Sequence, residues 1–134
     1  MYEDELIQAG IRPTAQRLAV AAYVLKTTKH PSADQVFEAV RERCPSISQA
    51  TVYNTLKIFT DHGLLRQLHL RDDRVAYDPK TEPHHHFVDI ETGEIQDVDW
   101  DAIDVGRLDQ LKDIEISDYQ VVLRGRRRRT IETA

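Results

Sequence analysis

The spacing of apolar residues changes at Gly63, and this change constrains the fold more than any other feature of the chain. Before Gly63, apolar residues such as Val52, Leu56 and Phe59 recur every three or four positions, as on one face of a helix. After Gly63 the period changes to two over residues 64–70, which is typical of a strand. A helical first part followed by short strands predicts the α+β fold class.

Three helices are predicted ahead of Gly63, and each follows a residue that can cap a first turn. Thr14 and Ser48 precede helical patterns, and Ser32 has a glutamine three residues later in the spacing of a capping box. The Cys-Pro pair at residues 44–45 is predicted to end the second helix, because a residue before proline avoids the helical region. The apolar stripes predicted for the first two helices are Leu18, Ala22 and Leu25, and Val36, Phe37 and Val40.

A polar turn at residues 71–74 divides the next stretch into a two-stranded hairpin. Three helices followed by such a hairpin are the pattern of a winged helix, whose third helix enters the major groove of DNA. The exposed face of the predicted third helix carries Tyr53 and Lys57. Gln49 and Thr51 lie in its first turn, and all four side chains can reach base edges or phosphates. An ordinary amphipathic surface helix is the alternative interpretation.

Three consecutive histidines, His84 to His86, stand between two aspartates. On a strand, His84 and His86 share one face and His85 points to the other. Asp78 precedes His84 by six residues, and Asp97 follows His86 by eleven. Imidazole nitrogens and carboxylate oxygens together suit iron(II), manganese(II) or zinc(II). A solvated histidine run in a loop is the alternative interpretation.

The chain after residue 80 predicts a small second domain. Prolines at 79 and 83 mark a linker, so the domain boundary is placed between residues 1–80 and residues 81–134. The second domain is too small to bury a core alone and its sheet has exposed edges, which predicts a symmetric homodimer. Its predicted elements are strands at 84–90 and 95–98, a helix at 101–112 and a strand at 119–124.

The net charge of −5 is unevenly distributed. Residues 1–80 hold 11 Lys/Arg against 10 Asp/Glu, whereas residues 81–134 hold 7 against 13. A near-neutral first domain can carry the local basic face that DNA binding needs. No apolar run approaches the roughly 20 residues of a membrane span, and the acidic N-terminus is unlike a signal peptide, which predicts a cytoplasmic protein. The single cysteine, Cys44, excludes an intrachain disulfide and a four-cysteine zinc site.

An ordered series of motifs resembles the ferric uptake regulator (Fur) family. These motifs span nearly the whole chain: residues 10–17 (GIRPTAQR), 30–34 (HPSAD), 48–56 (SQATVYNTL), 63–64 (GL), 77–78 (YD) and the histidines 84–86. The resemblance implies an N-terminal winged-helix DNA-binding domain, a small C-terminal α/β dimerisation domain and a metal site at the hinge. It also implies a homodimeric, metal-responsive repressor that binds double-stranded operator DNA.

The resemblance places the family's regulatory metal site on five residues. Matched one by one, these are His30, Asp78, His84, His86 and Asp97, with iron(II) or manganese(II) as the ion. The match agrees with the independent interpretation of the histidine strand. It adds His30, whose alternative role is to open a helix beside a proline.

The resemblance also gives Tyr53 a role in contacting DNA. Gln49, Thr51 and Lys57 lie on the same predicted helix, which favours them as further contacts. Arg17 is a candidate phosphate contact. No catalytic residue is implied, since members of the family are regulators.

Two departures from the family pattern bear on function. Most members hold a structural zinc with two Cys-x-x-Cys pairs, but residues 89–92 stand at the first pair here and no cysteine ends the chain. The dimer is therefore predicted to rest on apolar sheet packing without a structural zinc. Iron sensors of the family tend to have glutamate among these ligands. Asp78 and Asp97 instead resemble the peroxide-sensing branch, in which bound iron(II) reacts with hydrogen peroxide and a ligand histidine is oxidised. By that resemblance His84 and His30 are the expected targets.

Other functions stay open from the sequence. The haem-responsive branch of the family also lacks the zinc cysteines, shows three histidines and ends in a basic tail. The Cys-Pro pair at 44–45 matches a haem-regulatory dipeptide superficially, although a turn explains it, and His85 is the better candidate for haem or a second metal. Plain iron or manganese sensing is a further alternative. A non-haem iron enzyme is disfavoured, because an oxygenase barrel needs many strands and the first 60 residues are helical.

Overall fold

The computed structural model of the chain describes residues 2–70 and 74–128. The chain divides into two compact units, the first ending at Thr81 and the second beginning at Glu82. Helices and a two-stranded sheet form the first unit, and a three-stranded sheet forms the second, which confirms the α+β class. No helix within the described residues is long and apolar enough to cross a membrane.

Four helices lie in the described part of the first unit. Thr14, Ser32 and Ser48 each accept a hydrogen bond from the backbone N–H three residues later, which confirms the predicted starts of three of them. Ser32 completes a capping box with Gln35, whose side-chain oxygen accepts the Ser32 N–H. In chain order the helices are α1 (Glu3–Gln8), α2 (Ala15–Val24), α3 (Ala33–Val40) and α4 (Gln49–Asp61).

Helix α1 was not predicted from the sequence. Leu6 anchors it and is fully buried, while Glu3, Asp4 and Glu5 fill the first turn, where carboxylates stabilise a helix N-terminus. The helix has six residues, and one buried leucine in so short a segment gives no readable period.

The apolar stripe predicted for α2 is correct only in part, because Leu18 and Leu25 pack against the core but do not form its fully buried face. Its predicted members, Leu18, Ala22 and Leu25, are only half-buried. Helix α2 is apolar around most of its circumference, so the period alone does not select the buried face. Helix α3 ends at Val40, ahead of the Cys-Pro pair at 44–45 that was predicted to end it. The fully buried residues of α2 are Val20, Ala21 and Val24.

Helix α4 and the hairpin after it agree with the prediction from the sequence. Val52, Leu56 and Phe59 of α4 are fully buried, as predicted. Strands β1 (Arg66–His69) and β2 (Val75–Asp78) pair antiparallel and form the wing of a winged helix. The polar turn predicted at residues 71–74 lies largely outside the described residues.

The second unit is built on a sheet with the order β4-β3-β5. Strands β3 and β4 form the predicted hairpin, although β3 begins one residue later than predicted. The last strand begins three residues later and ends one residue later than predicted, and it runs parallel to β3. The strands are β3 (His85–Asp89), β4 (Ile95–Val98) and β5 (Val122–Gly125).

The helix predicted at residues 101–112 was wrong. The segment holds two short 3₁₀ turns, Trp100–Ala102 and Leu108–Gln110. The β-branched Ile103 is extended, and Arg107 adopts the left-handed region with φ of +66°. These conformations follow from poor helix formers, including Gly106, between apolar residues whose spacing resembles a helix.

Candidate functional site

His30 and Asp78 form a buried pair within the first unit. His30 Nε2 lies 3.2 Å from Asp78 Oδ2, and both side chains are almost fully buried. His30 has a φ of +51°, in the left-handed region that few non-glycine residues adopt. The next residue, Pro31, accepts the Tyr77 N–H at 2.8 Å, so this strained loop is fixed beside β2. Strain of this kind concentrates at functional sites.

His84, His86 and Asp97 form a second group within the second unit. Asp97 Oδ1 lies 3.3 Å from His84 Nε2 and 3.6 Å from His86 Nε2. The two imidazole rings have their centroids 4.5 Å apart. Both histidines are almost fully buried, while Asp97 is one-third exposed. Pairing of His86 with Asp97 across β3 and β4 brings the carboxylate to the histidines.

The hydrogen bonds at Nδ1 define which ring nitrogens of His84 and His86 face Asp97. His84 Nδ1 lies 2.7 Å from the Glu82 carbonyl oxygen, and His86 Nδ1 lies 2.9 Å from Gln120 Oε1. Oxygen acceptors at these positions require each Nδ1 to carry a proton, so that in the neutral imidazole the Nε2 lone pair faces Asp97. In that neutral form, two Nε2 lone pairs facing one carboxylate oxygen repel it unless a proton or a metal ion lies between them. The same pattern, with the far ring nitrogen donating to an oxygen, is usual for metal-ligating histidines.

Each unit therefore contributes a histidine and aspartate donor set suited to a divalent metal ion. Imidazole suits iron, zinc and manganese, and carboxylates favour the harder ions among these. The chain's single cysteine, Cys44, lies in the loop after α3, so no thiolate belongs to either donor set.

His85 has a different environment from its two neighbours. It is fully buried, and its ring stacks on Trp100 with centroids 4.6 Å apart and planes 15° from parallel. Its Nδ1 accepts the Val121 N–H at 2.9 Å. These contacts give His85 a role in packing the second unit.

The outward face of α4 carries the residues predicted to contact DNA. Gln49, Tyr53 and Lys57 are exposed, with Tyr53 at 46%. Tyr53 Oη donates to Asp34 Oδ1 at 2.6 Å, and this hydrogen bond together with desolvation raises the pKa of the Tyr53 hydroxyl. Lys57 pairs with Asp61 one turn later at 3.0 Å, an exposed contact that DNA phosphates can replace at little cost.

Arg17 and Thr51 are less available than predicted. Arg17 is half-buried, and its Nη1 donates to the Arg12 carbonyl at 2.9 Å. The Thr51 hydroxyl shares a hydrogen bond with the Ser48 cap at 2.9 Å. Either side chain must exchange that partner to reach DNA.

Sequence reasoning missed two residues that orient functional side chains. Gln120 holds the His86 ring, and Asp34 holds the Tyr53 hydroxyl. Both contacts join residues distant in sequence, so no local period signals them. Asp34 is the last residue of the HPSAD motif at residues 30–34, and this was the hint available in the sequence.

Comparison with known proteins agrees with this fold and identifies the family. A sequence model of the ferric uptake regulator family matches residues 8–124. The peroxide-responsive repressor PerR of Staphylococcus aureus (strain Mu50) is 34% identical over 122 residues, covering 90% of this chain and 82% of the relative.

Solved structures share the architecture. The ferric uptake regulator of Vibrio cholerae aligns with a TM-score of 0.71 at 22% identity, covering 94% of this chain and 99% of that one. The ferric uptake regulator of Pseudomonas aeruginosa with manganese aligns with a TM-score of 0.70 at 25% identity, covering 94% and 97%. The chain therefore belongs to the ferric uptake regulator family, as a metal-responsive regulator of transcription and not an enzyme.

Proposed function

We propose that this protein is a metal-dependent, DNA-binding repressor that senses peroxide through iron-catalysed oxidation of a ligand histidine. The observation that carries the proposal is the convergence of two Nε2 atoms, of His84 and His86, on one oxygen of Asp97. The proposal is also supported by the 34% sequence identity with a repressor that is named for its response to peroxide.

A single iron(II) or manganese(II) ion takes ligands from both halves of the chain. Its ligands are His30, Asp78, His84, His86 and Asp97. The N-terminal domain, residues 1–80, binds DNA, and residues 81–134 form the dimerisation domain. An ion bound by both domains selects one relative orientation of the two, as a ligand biases a two-state equilibrium. A change of 10–100-fold in operator affinity requires about 1.4–2.8 kcal/mol of coupling, which is in the usual range.

Helix α4 contacts operator DNA. Its exposed Tyr53, Gln49 and Lys57 suit base edges and phosphates, and the wing of β1 and β2 suits the backbone. The second unit exposes large apolar side chains that a homodimer would cover. These include Ile90, Leu111, Ile114 and Leu123. One cysteine per chain leaves this interface without a four-cysteine zinc site.

Oxidation of a ligand histidine releases the repressor from DNA. Iron(II) held by these residues would activate hydrogen peroxide for oxidation of a ligand beside it, which manganese(II) would do poorly. One oxygen atom of the peroxide would pass to the ring of His84 or His30 and the other would leave as water. The oxidised histidine would be a weaker ligand, so the coupling between the domains would be lost. The short side chains of Asp78 and Asp97 leave room for peroxide beside the ion. Cys44 lies outside both donor sets, so thiol oxidation does not provide the response.

DNA retardation with metal and peroxide tests the function. Both iron(II) and manganese(II) should promote operator binding, and peroxide should abolish binding of the iron form alone. Equal survival of the two forms would leave plain iron or manganese sensing as the function. Operator binding that does not depend on added metal would contradict the proposal.

A further inference from the structure

The arginine run that begins after β5 makes specific contacts in its described part. Arg127 Nη1 lies 3.0 Å from Asp89 Oδ2, and its Nη2 donates to Gln96 Oε1 at 3.2 Å. The Arg127 guanidinium also lies 3.6 Å from Glu94 and stands over the Phe87 ring at 6.0 Å. One side chain thus bridges the last residue of β3, the turn that follows it and strand β4.

Asp89 is an unusual partner for a surface arginine because it is only 5% exposed. Its Oδ1 accepts the backbone N–H groups of Glu91 at 2.9 Å and Thr92 at 3.2 Å, which organises the β3–β4 turn. Its Oδ2 is left for Arg127. Removing the cation from a buried carboxylate destabilises the fold far more than removing it from an exposed one. Breaking the Asp89–Arg127 pair therefore destabilises the fold more than breaking an ordinary surface ion pair.

The segment that Arg127 fastens is also the segment that orients His86. Strand β5 runs parallel to β3, with Gly125 opposite Asp89. At the other end of the segment, the Val121 carbonyl accepts the His86 N–H at 3.0 Å. Gln120 Oε1 accepts the His86 Nδ1 proton at 2.9 Å. Displacement of β5 would therefore move the acceptor that directs His86 Nε2 toward Asp97.

We propose that the Asp89–Arg127 pair is a clamp that holds β5 against the β3–β4 hairpin and thereby positions His86 for metal binding. Arg127 is a positioning residue, and at this point the basic run acts within the chain and not on nucleic acid. The clamp itself is independent of the proposed function, and only its effect on metal affinity rests on that function.

The clamp is tested first without metal, in full-length protein kept in chelator. Arg127→Gln should speed hydrogen exchange of the β5 amides roughly tenfold. A hydrogen bond to a charged group stabilises the closed strand by enough to change its opening equilibrium by about that factor. Arg127→Lys should recover part of the protection, because it keeps the charge and loses the second donor. Arg128→Gln is the matched control, since Arg128 is exposed and has no ion pair with the described residues. Equal exchange in the Arg127→Gln and Arg128→Gln proteins overturns the clamp.

Manganese(II) titration then tests the positioning role. Gln120→Ala removes the direct acceptor and should weaken manganese(II) binding by roughly 10–100-fold. Arg127→Gln should weaken it by a smaller factor, and Arg128→Gln should not change it. Faster β5 exchange with unchanged manganese(II) affinity in Arg127→Gln overturns the positioning role. Unchanged affinity in His86→Ala would instead reject the proposed function and leave the exchange result standing.

Discussion

Replacing Asp97 by asparagine should remove metal stabilisation while leaving the metal-free fold intact. Asp97 Oδ1 is the oxygen that both His84 Nε2 and His86 Nε2 face, at 3.3 and 3.6 Å. Asparagine keeps the shape, loses the charge and can donate to an imidazole lone pair, so the metal-free protein should not be destabilised. Loss of a residue that only hydrogen-bonds to a metal ligand weakens metal affinity by up to about 100-fold. Loss of a direct carboxylate ligand should therefore weaken it by at least about that factor.

The size of the effect follows from the length of the chain. Unfolding entropy of about 2.1 cal/mol/K per residue gives roughly 0.28 kcal/mol/K for 134 residues. Manganese(II) at about 100 times its Kd stabilises the wild type by about 2.7 kcal/mol, which raises the midpoint of thermal unfolding by about 10 °C. At the same concentration the Asp97→Asn protein should gain only about 0.4 kcal/mol, or 1–2 °C.

Scanning calorimetry with and without manganese(II) measures both midpoints. Asp99→Asn is the matched control, because Asp99 is an exposed neighbour with no side-chain capping contact. A full shift in Asp97→Asn, equal to that of Asp99→Asn, would refute the assignment of Asp97 as a ligand.

Three further predictions concern DNA binding and its control. His86→Ala should abolish metal-dependent retardation of operator DNA yet sediment as a folded dimer; normal repression with retained iron would show the site to be misassigned. Lys57→Ala should weaken binding across all DNA sequences and reduce the salt slope by about one, because it removes one phosphate contact; an unchanged slope excludes that contact. The hydrogen bond to Asp34 raises the pKa of the Tyr53 hydroxyl. The stability that this hydrogen bond contributes is therefore complete at pH values below the pKa of an ordinary tyrosine, and it is lost as the pH rises through the raised pKa. Ultraviolet titration of Asp34→Asn should show Tyr53 ionising at lower pH than in the wild type, and an identical titration would contradict that cause.

Features set by short-range rules could be predicted from the sequence. Thr14, Ser32 and Ser48 were identified as caps because a hydroxyl and a backbone N–H three residues apart define the contact locally. The buried face of α4 was predictable because its apolar residues are few and regularly spaced. Alternation along a strand likewise predicted that His84 and His86 share a face.

Features set by long-range contacts were not predictable. The parallel pairing of β5 with β3 joins segments more than thirty residues apart, and it places Gln120 at His86 and Arg127 at Asp89. The segment at 101–112 shows the opposite error, since apolar residues at helical spacing were outweighed by a glycine and β-branched neighbours. His30 was assigned as a metal ligand from the family resemblance alone. Its local sequence does not predict the left-handed backbone conformation that directs its side chain to Asp78.

Peptide mass spectrometry of the iron-loaded protein after one equivalent of hydrogen peroxide tests the central claim most directly. The peptides that contain His30 and residues 84–86 should be compared with those of the manganese-loaded protein under the same treatment. We predict one added oxygen atom on His84 or His30 in the iron form alone, in step with the loss of iron and of operator binding. Unmodified histidines in an iron-loaded protein that still binds DNA would contradict the account.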